Sequence, residues 1–389
     1  MWAFRCFGQA WFSMGKNERI VEAIVGALRF RDANPEKLAS LTESEWHELL
    51  EYADLSHLTL ALGTNCREFL PEWVRDRIDE NLRDNRARWD LVKATYEEVQ
   101  SAFLSASVQH VVIKGFTQCP DFAPSPHARF QSDIDIYCPD GSIKQAVETL
   151  RRIGYEAVGT SEKADHLPAM IRRGDWKWCG NSYDPEMPLS IELHHRFWNR
   201  RTMRLGPEDL QQFWSRRRVR RADWGTYPVL HPVDNLGFSA MQVLRDLLGN
   251  VLSAHKVYEL AYFLHDRATD DGFWREWSAT HNDDLRACEA VSFCLARACF
   301  GCDLAPQVVE QIAILPRTVR AWTPLCGQGS LTTHRRSEKD AVWIHLALVN
   351  SFRDKLAIFL KAFWRPPDPY KVLVESAAVH GGGRWMQYA

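Results

Sequence analysis

The sequence lacks any excess of charge of one sign. Its 48 lysines and arginines against 50 aspartates and glutamates leave a formal net charge of −2. No global field therefore draws nucleic acid or an anionic membrane, and either partner would need a local patch. There is also no apolar run long enough to span a bilayer. The opening stretch MWAFRCFGQAWFSM is interrupted by Arg5, is far shorter than a span, and lacks the charged, then apolar, then small order of a signal peptide. The expectation is a cytoplasmic protein without a transmembrane segment. No repeat period is apparent, which sets aside a solenoid.

What is present is ordinary globular composition. With 389 residues, 46% hydrophobic and 25% charged, the chain can form two or three domains with real cores. Its 10 cysteines are scattered and read as reduced thiols in packed positions. Cys294, Cys299 and Cys302 echo the C-x4-C-x2-C part of an iron–sulfur pattern, with Cys326 as a conceivable fourth ligand. However, EAVSFCLARACF reads as an amphipathic helix with Val291, Cys294, Leu295 and Ala298 on one face, and a helix cannot wrap a cluster. The 16 tryptophans are read as core or interface filler.

Along the chain, residues 1–107 read as a helical region. RIVEAIVGALRF, LTESEWHELLEYADL with the capping pattern Thr42-x-x-Glu45, and a run from about Asp84 with Leu91, Tyr96, Val99 and Phe103 at helical spacing carry that reading. From 108 the period changes. VQHVVIKG is a short apolar strand, followed by a proline-broken loop and a second strand, SDIDIY. SIKQAVETLRRIGY is a helix with Ile143, Val147, Leu150 and Ile153 inward, ended by Gly154. A polar excursion (161–188) leads to LSIELHHRFW, again a strand with one polar face. After the arginine-rich segment 216–221 the chain turns helical once more, ending in EKDAVWIHLALVNSFRDKLAIFLKAFW, which Pro366 and Pro367 stop. The expected domains are a helical region 1–107, a small mixed unit 108–230, and a helical domain 231–389.

The chemistry concentrates in the mixed unit. Successive side chains of a strand point to opposite faces, so Asp133 and Asp135 share one face while Ile134 and Ile136 share the other. Two carboxylates this close repel unless a cation compensates. Lys114 and Gly115 end the preceding strand, Arg129 stands in the loop between, and Glu192 lies on the polar face of a later strand. Hard divalent cations such as Mg²⁺ take carboxylate oxygens, and two of them can clamp the attacking and leaving oxygens of a phosphoryl displacement. Each residue also has a plainer reading: Lys114 as a strand cap, Arg129 as an ion-pair partner of Asp133. His194 and His195 are adjacent and face opposite ways, so they do not pair on one ion; His194 shares the face of Glu192 and can orient a ligand or substrate.

VVIKG, then ARFQSDIDIY, then DHLP at 165–168, then IELHHRF resemble, in order, the uncharacterised nucleotidyltransferase family of the polymerase-β-like superfamily. That family's usual pattern is an apolar-Lys-Gly, an Arg shortly before D-[IL]-D, a His-Leu-Pro and a Glu-Leu-His. The resemblance covers roughly 111–197, with a weaker helical echo in 235–266. It implies an α+β minimal nucleotidyltransferase fold, a short mixed sheet with helices flanked by N- and C-terminal helical regions. It implies Asp133 and Asp135 holding two Mg²⁺ ions, or Mn²⁺, with Glu192 completing the site of the ion that activates the acceptor. A nucleoside triphosphate such as ATP would be the co-substrate and pyrophosphate the product. Lys114, Gly115 and Arg129 would meet the triphosphate, with His194 and, from the His-Leu-Pro, His166 as further candidates. The superfamily more often has Gly-Ser where Lys114-Gly115 stands, and the family commonly has Trp where His195 stands. The implied acceptor is a small molecule, sugar phosphate or peptide natural product, with nucleic acid not expected; oligomeric state is not legible. On these grounds Asp133→Ala or Asp135→Ala should abolish activity and leave the fold intact, by relieving like-charge repulsion.

Three other readings compete. A D-x-D glycosyltransferase would place its motif after several alternating strands and helices, whereas one convincing strand precedes Asp133. A non-catalytic nucleotide- or nucleic-acid-binding protein would use RRRVRR at 216–221, flanked by Trp214 and Trp224, against the reading of a solvated basic turn. The terminal run from Trp343 would suit a membrane-surface helix, against the reading of a core-facing one.

Overall fold

The computed structural model describes residues 16–158, 165–208, 210–332 and 340–364. The opening stretch and the stop at Pro366 and Pro367 lie outside the described residues. The architecture is α+β: one mixed sheet with helices flanking it. Its strands are β1 (Val111–Ile113), β2 (Asp133–Tyr137), β3 (Tyr155–Ala157), β4 (Met170–Arg172), β5 (Ser190–His194), β6 (Arg218–Ala222) and β7 (Gly225–Val229), in the order β3-β4-β5-β2-β1-β7-β6. β1 runs antiparallel to β2, and β2 parallel to β5.

The expected alternation along β2 decides which layer each face meets. Ile134 and Ile136, with Val112, Ile191 and Leu193 of the neighbouring strands, pack against Trp89, Val92, Tyr96, Val99 and Phe103 of helix Glu72–Ser105 and against Ala146 and Leu150 of helix Asp140–Arg152. The other face carries Val111, Ile113 and Tyr137, which join a second core with the helices after residue 230. Asp133, Asp135, Glu192 and His194 belong to that second face. Each large apolar side chain buried there is worth about 1.5–3 kcal/mol, so the two cores lock the sheet between helical layers.

Helix Glu43–Leu55 has the expected capping box: Thr42 accepts from the Glu45 amide, and the Glu45 carboxylate accepts from the Thr42 amide. Helix Asp140–Arg152 has an acid in its first turn and two arginines in its last, matching the helix dipole. Its inward face is rotated from the expected one: Ser142, Ala146, Thr149 and Leu150 are buried, while Ile143, Val147 and Ile153 are only partly covered. Helix Glu72–Ser105 starts a dozen residues before Asp84, behind Pro71.

Two differences bear on the rival readings. From Arg218 the arginine-rich segment is a strand, not a turn: β6 and β7 form a hairpin closed by Asp223 and Trp224. Arg216 pairs with Asp234, Arg217 lies over the Trp214 ring at 3.7 Å, and Arg220 donates to the carbonyls of Thr117 and Cys119. Three of its arginines thus serve the fold, leaving Arg218 and Arg221 exposed along the edge strand. The terminal run is two helices, Ala341–Leu348 and Phe352–Trp364, not one. Ile344 is buried and Phe352 exposed. Cys299 and Cys302 are buried, with burial pushing both thiols up to about 12, as packed thiols require. No helix among the described residues is long and apolar enough to cross a membrane.

Candidate active site

The parallel register of β2 and β5 sets Asp133 opposite Ser190, Asp135 opposite Glu192 and Tyr137 opposite His194. Because side chains alternate, the acids and His194 all project from one face. Asp135, Glu192 and His194 are buried there, whereas Asp133 is half-buried.

Lys114 reaches this group through unusual backbone. It has φ +62° and ψ −161°, a region essentially reserved for glycine, and Gly115 follows with φ +56°. A non-glycine residue there costs about 1–3 kcal/mol, which only a side chain in demand repays. The demand is visible: Lys114 Nζ donates to Asp135 Oδ1 at 2.7 Å. Gly115 is required for a second reason. A Cβ on it would lie 2.5 Å from Gln131 Nε2, and that amide donates to the Asp133 carbonyl at 2.7 Å.

His194 Nε2 donates to the same Asp135 Oδ1 at 2.7 Å and lies 3.8 Å from Glu192 Oε2. Burial, together with the nearby Lys114 charge, brings His194 down to about 4, so it is neutral near pH 7. Burial disfavours ionised Asp135, but the Lys114 ammonium and the His194 hydrogen bond outweigh it and hold the carboxyl well below the usual range. Asp133 moves the other way. Covered surroundings, then the charges of Asp135 and Glu192, raise it, with Lys114 and Arg129 only partly offsetting. The two aspartates of one motif thus differ in kind: Asp135 is fully ionised and paired, and Asp133 holds its proton more readily.

The ligand-capable atoms of Asp135, Glu192 and His194 lie within 4.8 Å of one another. Two carboxylates and a neutral imidazole, buried and convergent, fit a divalent cation that accepts mixed oxygen and nitrogen donors, provided His194 takes the tautomer protonated on Nδ1 and gives up its hydrogen bond to Asp135. Among the described residues Asp133 is outside any such three-donor group. It stands one alternation earlier on β2.

His166 also arrives here, as a bridge partner of His194. Its Nδ1 donates to the Leu167 carbonyl at 2.8 Å, which aims Nε2 at Glu192 Oε2, 3.8 Å away. His195 does not join: its backbone amide bonds to Asp165. Arg129 is not the partner of Asp133; its Nε lies 2.8 Å from Glu259 Oε1 on helix Ala254–Asp266. Sequence reasoning missed Arg245 of helix Pro232–Gly249, 3.6 Å from Asp165 and 3.1 Å from Asp246, whose charge acts on both Asp135 and Lys114. The only trace of it was the helical echo in 235–266.

Residues 42–301 match a family described as uncharacterised nucleotidyltransferase, a span that includes every site residue above and the helix carrying Arg245. Neither the curated proteins nor the solved structures yield a match. The match covers well over half of the chain: the protein belongs to the uncharacterised nucleotidyltransferase family.

Proposed function

We propose that the protein transfers a nucleoside monophosphate from a nucleoside triphosphate to an acceptor oxygen, with release of pyrophosphate. The observation that carries this reading is the convergence of Asp135, Glu192 and His194 into one buried donor set beside Asp133. In this reading Asp135 and Glu192, with His194, hold a divalent cation, Mg²⁺ or Mn²⁺, and Asp133 shares a second with the triphosphate. Bound there, such ions neutralise phosphate charge and lower the pKa of an acceptor hydroxyl.

The chain's own groups do the rest. Lys114 and Arg245 place positive charge beside the carboxylates, where charge builds as the α-phosphorus–oxygen bond to pyrophosphate breaks. The Gln131 amide fixes the backbone of Asp133. The sheet and helix Pro232–Gly249 hold both strands rigid, so the acids meet the substrate without reorganising. The acceptor class we propose is a small molecule, sugar phosphate or modified peptide. Of the arginine-rich segment 216–221, Arg216, Arg217 and Arg220 are engaged within the fold, which favours such an acceptor over a polynucleotide.

The test is incubation with each of the four nucleoside triphosphates, with Mg²⁺ or Mn²⁺ and a cell extract. Mass spectrometry should show an acceptor heavier by one nucleoside monophosphate, absent with Asp135→Asn. No pyrophosphate and no adduct from any of the eight combinations would overturn the assignment.

A further inference from the structure

The apolar run after residue 340 divides into two helices whose environments differ. Helix Ala341–Leu348 turns Ala341 and Ile344 into the core. In helix Phe352–Trp364 only Ile358 is buried among the described residues, and a row of large apolar side chains stays outside. Phe352 is 80% exposed, and Leu356, Phe359 and Leu360 are 46%, 41% and 44% exposed. These four share one face. At about 100° of turn per residue they fall within an arc of about 100°. Arg353 borders that arc on one side and Lys355 on the other, while Ile358 lies nearly opposite its middle and seats the helix on the protein.

The charges complete the pattern. The helix has one acid, Asp354, which Arg204 holds at 3.3 Å. Arg353 and Lys355 meet no acid within ion-pair distance among the described residues. Helix Arg200–Met203 lies alongside, since the His345 ring bonds to the Met203 carbonyl at 2.6 Å, and it adds the exposed Arg201 to this end of the molecule. On the preceding helix Trp343 is 58% exposed, a ring of the type that settles at a headgroup boundary.

Charge decides what covers such a face. A second copy packed on it about a two-fold axis would set Arg353 and Lys355 against their own kind. An anionic bilayer accepts both parts of the pattern at once. The apolar side chains enter the acyl boundary, and the flanking cations, on flexible stems, stay at the phosphates. With a formal net charge of −2 the rest of the chain adds no attraction, so this local patch has to supply it.

We infer that helix Phe352–Trp364 is a membrane-surface anchor, lying in the plane of an anionic phospholipid bilayer on the face of Phe352, Leu356, Phe359 and Leu360. One such helix gives reversible attachment. The inference uses no residue of the acidic site and stands apart from the transferase reading.

The experiment is flotation of the full chain, without nucleotide or metal, on vesicles of phosphatidylcholine alone and of phosphatidylcholine mixed with phosphatidylglycerol. The chain should bind the mixed vesicles about tenfold more tightly or better, and high salt should shrink the difference. Phe352→Ser with Leu356→Ser alters two exposed positions, so circular dichroism should match the wild type while binding falls about tenfold or more. Arg353→Gln with Lys355→Gln should lose most of the preference for the anionic vesicles. Undiminished binding by the serine pair, equal binding of the wild type to both vesicles, or no binding to either overturns the anchor. So does a wild-type dimer in analytical ultracentrifugation that the serine pair turns into a monomer, because it assigns the face to a second copy. Should the serine pair prove unfolded, the glutamine pair decides, and a fully retained preference for anionic vesicles overturns the inference.

Discussion

Glu192 lies directly opposite Asp135 in the parallel register of β5 on β2, and His194 Nε2 sits between them, 2.7 Å from Asp135 and 3.8 Å from Glu192. Asp135 has both Lys114 and His194 as donors at 2.7 Å. Among the described residues Glu192 has only the looser contacts of His166 and His194 at 3.8 Å, so its charge is the more available of the two. Glu192→Gln keeps shape and removes that charge. We expect nucleotide affinity to change a few-fold and turnover to fall by about a hundredfold or more, on the scale of one positioned catalytic group. Titration calorimetry beside a pyrophosphate assay checks this. Binding lost altogether would place Glu192 in the nucleotide site and not with the acceptor.

The two aspartates should separate in stability as well as in activity. The expectation that either alanine variant would relieve repulsion and leave the fold intact needs revision for Asp135. Asp135→Ala strands the largely buried Lys114 ammonium without its counterion. Breaking a buried pair costs about 3–5 kcal/mol. Asp133→Asn removes a raised, half-buried acid facing two like charges, and should change stability by less than about 1 kcal/mol while still abolishing activity. Urea unfolding distinguishes them, and equal losses in the two variants would contradict the pairing.

Gly115 tests the strained turn. Gly115→Ala puts a side chain at φ +56°, costing about 1–2 kcal/mol, and pushes Gln131 off the Asp133 carbonyl. Activity should therefore fall further than stability alone explains. Lys114→Gly relieves the backbone but leaves Asp135 short of a donor, so it should lose activity with little loss in thermal midpoint relative to Lys114→Ala. A Lys114→Gly variant no more stable than Lys114→Ala would remove strain from the account.

How much of this was legible follows from the range of each interaction. Period-two alternation set Asp133 and Asp135 apart from Ile134 and Ile136, and did the same for Glu192, because the strand pleat is a local property. The β6–β7 hairpin escaped because an edge strand with three arginines among five residues has no apolar face to advertise. Arg129 with Glu259 and Arg245 with Asp165 could not be paired from sequence, since each joins residues 80 or more positions apart with no local signature. The His-Leu-Pro placed His166 within the family pattern, but its position beside Glu192 depends on a single bridge to β5.

The last prediction concerns a second buried charge network, also invisible to periodicity. Protonated His281 donates to Glu289 Oε1 at 2.9 Å through Nδ1 and to Asp234 Oδ1 at 3.2 Å through Nε2. Arg216 grips Asp234 at 2.6 and 2.9 Å, and Trp277 Nε1 donates to Glu289 Oε2 at 2.9 Å. Gly237 makes the room, since a Cβ on it would lie 2.8 Å from His281 Cε1. Two anions and two cations balance, tying the approach to β6 to the helix that carries Arg245. Burial opposes the imidazolium, but Glu289 and Asp234 outweigh it and raise His281 to about 9. For a histidine raised in the folded state, the contribution is fully present below the unfolded value of about 6.5 and is lost as pH climbs through about 9. That difference corresponds to about 3 kcal/mol. The wild-type chain should therefore lose stability between pH 7 and 9.5, whereas His281→Gln should start lower and lose less over the same window. Urea midpoints at four pH values check the two slopes. Parallel slopes would show that His281 is neutral in the folded protein and that Arg216 alone balances the two acids.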